Sequence, residues 1–463
     1  MPAPHVPRGR YANPDHRDRA RQEGRLEETM DQAASLDLGA RTAETNVYRK
    51  ITWRIMPFIV VCYLVAYLDR VNVGFAKLQM MSDLGFSDAV YGFGAGVFFI
   101  GYFIFEVPSN LALHKLGARI WIARIMITWA IISALTLFVT TPIQFYAARF
   151  FLGLAEAGFS PGIMLYLTYW FPAKKRGFAL GFYYIAIPLA GVVGGPVSGL
   201  ILQYFDGSTV MKAWQWLFLL EAAPSLIAGV AVLYLMVDRP EQAKWLTDAE
   251  KAEVSAELRH EDGDKVVHAT SMDFLKDVRI WKLSGVYFMT IIGLYGISFW
   301  LPSIVKESGI KDVATVGWLS AIPYLVAIPS IILTGISADR TRRRRAHFSA
   351  ALAIGALGLA LAGYVGQSPA AAVFWLSIGT AGMLSALSLF WGVPCAFLAG
   401  TSAAAGIATI NCIGNLAGFV SPYMVGGLNV LTGNPAFGLY AVAACMLAGA
   451  ILMRIIPASL GDR

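Results

Sequence analysis

Tyr67-Leu68-Asp69-Arg70-Val71-Asn72 closes an apolar run that begins at Ile55. A carboxylate and a guanidinium at membrane depth need a physical reason. A charged side chain near a bilayer centre costs roughly 2.5–3.5 kcal/mol on insertion scales. In one reading Asp69 and Arg70 mark the interface, where charge is cheap. In the other they face a water-filled cavity inside a helix bundle, as intramembrane ionisable residues usually do. A second pair decides for the cavity: Arg149 and Glu156, seven residues apart within the apolar run from Phe145 to Trp170. That spacing is about two helical turns, so both project from one face.

Apolar residues make up 57% of the chain and charged residues 14%, against about 25% charged in soluble domains. Apolar runs of the about 20 residues needed to cross a bilayer recur throughout. The expected class is an all-α, polytopic membrane protein. The net charge of +7 does not point to nucleic acid, because much of the excess lies in short loops between spans, where it sets orientation. Cys62, Cys395, Cys412 and Cys445 all fall in apolar runs and read as packing residues rather than disulfides or a metal site. The six histidines lie outside the probable membrane centres, so an intramembrane proton relay has to use carboxylates. No phosphate-cradling Gly-Lys-Ser/Thr loop and no clear nucleophile–base or metal-ligand constellation stands out. Neither an enzyme nor an ATP-driven pump is expected, and no cofactor.

Residues 1–46 are polar, without the apolar core of a signal peptide. They read as a disordered cytoplasmic tail, with a short surface helix over Met30 to Ala40. Twelve spans follow, at 51–73, 88–113, 119–139, 143–168, 178–202, 214–237, 282–304, 315–338, 347–366, 371–396, 404–428 and 436–457. They divide into a six-helix bundle over 47–237 and another over 282–457, with a short tail at 458–463. The connection 238–281 is charged, and Thr247-Asp-Ala-Glu250 is a capping box that opens a helix from Lys251 to His260. Lys115, Arg119, Lys174, Lys175, Arg176, Arg340 and Arg342 to Arg345 lie in loops on one side. Lys77, Lys212, Lys306 and Lys311 lie on the other. The positive-inside rule then puts both ends in the cytoplasm.

The halves repeat weakly. Leu189-Ala-Gly191 precedes Pro196, and Leu416-Ala-Gly418 precedes Pro422, 227 residues later. The loop Asn110 to Arg119 is followed at an offset of 225 by Gly335 to Arg344. Duplication of a six-helix unit is a transporter architecture, with a midplane site between the halves.

Gly335-Ile-Ser-Ala-Asp339-Arg340-Thr-Arg-Arg343-Arg344 resembles the loop signature of the major facilitator superfamily. Tyr67-Leu-Asp-Arg-Val-Asn-Val-Gly-Phe-Ala, Phe105-Glu-Val-Pro-Ser-Asn, Arg149-Phe-Phe-Leu-Gly-Leu-Ala-Glu-Ala-Gly-Phe-Ser-Pro-Gly and Asp238-Arg-Pro-Glu-Gln-Ala-Lys-Trp-Leu-Thr look like its anion:cation symporter branch. Tartrate-transporter-like members are nearest, with hexonate and aromatic-acid carriers close by. The resemblance covers about residues 47 to 457. It implies twelve helices in two pseudo-symmetric bundles in the inner membrane, and proton-driven uptake of organic anions. Asp69 and Glu156 fall on the proton-coupling carboxylates. Arg70 and Arg149 fall on the substrate arginines. Tyr67, Tyr102, Ser388, Trp391 and Asn411 fall on pocket positions of hexonate carriers. His114 replaces the loop acid of the general signature. Ile187 stands where hexonate carriers have a polar amide, which disfavours a long polyhydroxylated substrate.

Arginine suits a carboxylate because its planar fork donates two charge-assisted hydrogen bonds at once. For Arg149 the competing readings are a structural ion pair and snorkelling to the interface. Burial and a nearby arginine act on the charge of Glu156 in opposite senses, so its protonation can be reversible. A permanently bonded structural glutamate is the alternative. Glu106 and Glu221 lie nearer span ends and read as structural. Gly195-Pro196 reads as a hinge or as tight packing. Asn411, on one face with Asn415, can serve a substrate or a neighbouring helix. Asp339 and Arg340 are expected to hold the halves together in one state. No acid or base lies within Leu283 to Ile304; basic residues of that half serve phosphate in the superfamily's organophosphate exchangers, so the expected cargo is a less charged carboxylate. The expected function is proton-coupled uptake of a small hydroxy-dicarboxylate such as tartrate, with an aromatic or sugar acid next. An exchanger or uniporter without proton coupling is one rival. A transporter-like membrane sensor is another, though no output domain is recognisable. The expected partners are the organic anion, protons and the lipid bilayer, with the protein a monomer.

Overall fold

Helices fill the apolar runs and end where the sequence supplies a chemical stop. The computed structural model describes residues 46–263, 277–365, 368–397 and 401–457. The tails, with the expected helix at Met30 to Ala40, and part of the central connection lie outside the described residues. The helices are α1 Asn46–Leu84, α2 Asp88–Leu116, α3 Ala118–Phe138, α4 Pro142–Thr168, α5 Lys175–Tyr204 and α6 Ala213–Leu235. After the connection come α7 Val278–Glu307, α8 Val313–Thr341, α9 Arg344–Tyr364, α10 Pro369–Pro394 and α12 Ala436–Ile455. These eleven are long and apolar enough to cross a membrane. The run expected at 404–428 is helix α11, Thr401–Thr432. Residues 46–54 form a small unit of their own, in which the Thr52 hydroxyl donates to the Tyr48 carbonyl at 2.8 Å.

One boundary differs substantially from expectation. α1 does not end near residue 73 but continues to Leu84: a turn at Asn72 interrupts its hydrogen bonding, yet Asn72 keeps right-handed helical backbone angles and the chain runs on to Gly85. That glycine adopts φ 66°, the left-handed cap conformation, and the Phe86 amide closes the cap on the Met81 carbonyl at 3.0 Å. Asp69 and Arg70 therefore sit in mid-helix. α2 opens at Ser87, whose hydroxyl accepts from the Val90 amide at 3.3 Å. α4 opens on a capping box between Thr141 and Gln144 with Pro142 in its first turn. The connector helix, Asp248–Gly263, has the expected box: the Thr247 amide donates to Glu250 Oε2 at 2.8 Å. The Asp238 motif ties the connector to the first six helices. Asp238 Oδ1 accepts from the Arg119 amide at the start of α3 at 2.8 Å, and Trp245 stacks on Trp170 with ring centroids 5.6 Å apart.

Connections 85–87, 205–212 and 308–312 lie at one end of the bundle, the Asp88 end; Gly117 and residues 342–343 lie at the other, the Arg340 end. The halves meet near the Asp88 end along two backbone seams. In α5 against α8, a Cβ on Gly195 would stand 2.6 Å from the Gly317 carbonyl oxygen, and one on Gly317 would stand 2.3 Å from that of Gly195. In α2 against α11, a Cβ on Gly92 would stand 2.4 Å from the Pro422 carbonyl oxygen. The two seams repeat one another. Gly191 receives the Tyr324 ring from α8, and Gly418 receives the Phe99 ring from α2. Phe99 and Tyr324 are 225 residues apart, close to the 227 between the two glycines, so the contact is duplicated with the six-helix unit. Gly195 is thus a packing position, and Pro196 continues inside the helix.

Asp339 pairs with Arg344 at 2.7 Å within the second half, and both it and Arg340 are exposed. The expected role in holding the halves together is not exercised in this state. Towards the Arg340 end the halves touch where Asn411 Nδ2 donates to Glu106 Oε1 at 3.4 Å.

Replacing Gly195 with Leu forces a side chain into the Gly317 backbone, and overpacking of this kind costs about 1–3 kcal/mol. In a background without the native cysteines, a cysteine replacing the buried Ser320 should change from protected to labelled by a membrane-impermeant maleimide when Gly195→Leu is added. Unchanged protection would show that this seam does not hold the Asp88 end shut.

Candidate substrate site

The Arg149 motif puts a small residue between two charged ones. Gly153 lies between Arg149 and Glu156, and a Cβ there would stand 1.9 Å from the Phe98 carbonyl oxygen. One turn away, a Cβ on Gly101 of α2 would stand 2.3 Å from the Phe150 carbonyl oxygen. These two glycines let α2 and α4 approach to backbone contact, which seats Phe98 beside both arginines. The Phe98 ring centroid is 5.4 Å from Arg70 Cζ and 5.1 Å from Arg149 Cζ. Such cation–π contacts are worth about 2 kcal/mol when desolvated.

The two arginines differ in their other partners. Arg70 donates through Nη2 to Glu156 Oε1, and through Nη1 to the Tyr295 hydroxyl of α7 at 3.2 Å. Tyr102 also lies under it, with the ring centroid 5.6 Å from Cζ. Arg70 and Tyr295 are 225 residues apart, so Tyr295 occupies the repeat-equivalent position in the second half. Arg149 is 1% exposed, and none of its three guanidinium nitrogens has a hydrogen-bond partner among the described residues. A guanidinium is always charged in a protein, and a buried charge left without its partner costs about 3–5 kcal/mol. The Arg149 donors have the chemistry that an anion would satisfy.

Asp69 turns away from this cluster. Trp129 Nε1 donates to it at 3.0 Å and the Ser133 hydroxyl at 3.1 Å, both from α3, while the Ser225 hydroxyl of α6 donates at 2.5 Å. It is 1% exposed. Neighbouring side chains on a helix point about 100° apart, and Asp69 and Arg70 accordingly serve different partners. The expectation that Asp69 faces the same water-filled space as Arg70 gives way to a carboxylate held inside the first six helices.

The remaining expected positions are spread across the halves. The Tyr67 and Ser298 hydroxyls are 3.0 Å apart. Trp391 sits at a turn within α10 and packs on Tyr287 with centroids 5.0 Å apart. Ser388 donates to the Ser385 carbonyl of its own helix at 2.8 Å. Asn411 reaches Glu106, so Glu106 bridges the halves. Sequence reasoning did not single out Phe98 or Tyr295. Tyr295 carried a usable signal, since it lies at the repeat offset from Arg70; Phe98 carried none.

A family model of the Major Facilitator Superfamily matches residues 59–422. The chain belongs to the major facilitator superfamily. The "Putative tartrate transporter" of Agrobacterium vitis is 47% identical over 421 residues, covering 90% of this chain and 92% of that protein. The "Putative metabolite transport protein NicT" of Pseudomonas putida is 44% identical over 418 residues, covering 90% and 96%. The quinolone resistance transporter of Acinetobacter baumannii is 41% identical over 419 residues, again covering 90% and 96%. Among solved structures, the D-xylose-proton symporter superposes with a TM-score of 0.70 at 17% identity, covering 88% of this chain and 99% of that one. That likeness concerns the fold. This superfamily member is a membrane transport protein and not an enzyme.

Trp129→Phe removes one donor from the buried Asp69, a change worth about 1–3 kcal/mol. The purified protein should melt at a clearly lower temperature in detergent. Tyr295→Phe should lower it less, because Arg70 keeps Glu156 and its aromatic contacts. Equal melting temperatures for Trp129→Phe and wild type would contradict the structural role given to Asp69.

Proposed function

We propose that the protein takes up an organic carboxylate together with protons across the inner membrane, both chain ends being cytoplasmic. The observation that carries this reading is Arg149: buried, charged and without a hydrogen-bond partner among the described residues. Its fork accepts a carboxylate through two parallel hydrogen bonds. The relatives named for tartrate favour a small hydroxy-dicarboxylate such as tartrate. The basic loops at the Arg340 end support a cytoplasmic position for that end. In this reading the backbone seams close the outer, Asp88 end.

Glu156 supplies the coupling. While ionised it holds Arg70. Once protonated it releases Arg70, and a dicarboxylate can bridge Arg149 and Arg70 beside Phe98. Departure of the substrate returns Arg70 to Glu156 and expels the proton. Asp69 is the second candidate for a proton, held by three donors from α3 and α6. Each net positive charge moved inward gains about 2.3 kcal/mol per 100 mV. Three protons with a dianion would therefore use the membrane potential, whereas two would not. A second reading has one specific support: the rings of Phe98 and Tyr102 flank Arg70 and the Tyr295 hydroxyl accepts from it, which suits an aromatic carboxylate.

In proteoliposomes, an inside-alkaline pH jump should drive accumulation of labelled L-tartrate by the wild type. Glu156→Gln should still exchange tartrate but should not accumulate it. Arg149→Ala should weaken tartrate binding at least 100-fold, about 2.7 kcal/mol, within the range for truncating one partner of a buried charge pair. Wild-type pH dependence in Glu156→Gln would remove the coupling role. Competition by benzoate, with tartrate inactive, would select the aromatic reading.

A further inference from the structure

Three cations and three carboxylates are buried in the first six helices: Arg70, Lys77 and Arg149, and Asp69, Glu156 and Glu221. Lys77 is taken by the half-buried Asp88 at 2.9 Å, which leaves two guanidiniums for three carboxylates. Asp69 has three donors and Glu156 has Arg70. Glu221 has the poorest surroundings. It is 3% exposed on α6, the Ser198 hydroxyl of α5 lies 2.5 Å from Oε1, and Oε2 has no partner among the described residues. From α1 the Asn72 amide lies close beside it, outside strict hydrogen-bond geometry, and Asp69 adds a like charge. α3 spends Trp129 and Ser133 on Asp69, and no cation pairs with Glu221 among the described residues. One hydroxyl does not compensate an ionised carboxylate at this depth; such a group takes a proton instead.

Ser198 and Asn72 also line a small cavity between α1, α5, α7 and α8, together with Ser298, Ser320 and Tyr324. Its volume is about 20 Å³, which is room for one water. Both polar atoms of the Asn72 side chain and the Ser320 hydroxyl are buried there without hydrogen-bond partners among the described residues. The cavity abuts the seam at Gly195, so it gains access to water from the Asp88 end when α5 and α8 separate.

We propose that Glu221 is a proton-binding site whose protonation accompanies closure of the Asp88 end. With the seam open, water enters around Asn72, Ser198 and Ser320 and solvates the carboxylate. On closure a hydronium ion in the cavity gives its proton to Glu221, water is left, and the neutral carboxyl is sealed in. This extends the proton coupling proposed above to a carboxyl outside the arginine cluster, and it makes closure depend on pH at the Asp88 side.

Two measurements on the full-length protein test this, and neither uses substrate. Infrared spectra in detergent at neutral pH should contain a protonated-carboxyl carbonyl band. Glu221→Gln should abolish it and Ser198→Ala should shift it, whereas Glu156→Gln should leave it in place. In a background without native cysteines, maleimide labelling of Ser320→Cys should rise with pH. Adding Glu221→Gln should make labelling low and independent of pH. A band untouched by both Glu221→Gln and Ser198→Ala, or labelling that titrates as before in Glu221→Gln, overturns the proposal. Should Glu221→Gln fail to fold, an unshifted band in Ser198→Ala overturns it alone. Failure of proton-driven tartrate uptake would instead sink the coupling reading and leave these two results standing.

Discussion

A guanidinium cannot shed its charge inside a protein, and Arg149 is buried in the bundle with no acid bonded to it among the described residues. Much of the first half can be understood as the support this requires. Gly153 and Gly101 let α2 and α4 touch, so Phe98 meets both guanidiniums. Glu156, two turns along the same helix, is committed to Arg70 rather than to Arg149. Full local pairing of both arginines would leave a stable but closed core. One cation without a hydrogen-bond partner among the described residues leaves its donors free, which is what the proposed anion site requires.

The second constraint is backbone proximity between the halves. Side chains can yield to a neighbour, but a carbonyl within about 3 Å of a missing Cβ cannot. The Gly195–Gly317 and Gly92–Pro422 contacts therefore exist closed or not at all. Two seams related by the internal repeat give the molecule two equivalent places to part. The packing of Phe99 on Gly418 and of Tyr324 on Gly191 sits just inside them. Rigid halves that separate along such seams fit the rocking motion expected of repeat-built transporters.

The membrane-spanning pattern was legible because length and apolarity alone select it. The charged pairs were legible because charge in such runs is rare. Which way Asp69 points was not. Its partners Trp129, Ser133 and Ser225 come from two other helices, and helix rotation is set by packing that no local pattern encodes. The end of α1 was misplaced for a related reason. Lys77 made residues beyond 73 look like a loop, yet it is buried, paired with Asp88 at 2.9 Å and seated 3.9 Å from the Trp300 ring centroid. Glu221 read as structural by its position near a span end. Only the poverty of its surroundings in three dimensions separates it from Asp69.

The break in α4 ties chemistry to shape. The helix pauses immediately after Glu156, where Gly158 adopts φ 86° and a Cβ would stand 2.2 Å from the Ser109 hydroxyl oxygen of α2. No other residue fits that turn without displacing α2. Glu156 thus sits at the end of one rigid segment, and through Arg70 it is linked to α1 and then to Tyr295 in the other half. Neutralising this one carboxyl removes the charge that draws Arg70 towards α4. The guanidinium then keeps Tyr295, Phe98 and Tyr102, so its balance of contacts moves towards α2 and the second half. In the proposed cycle a proton on Glu156 would alter both the anion site and the join between the halves in a single step.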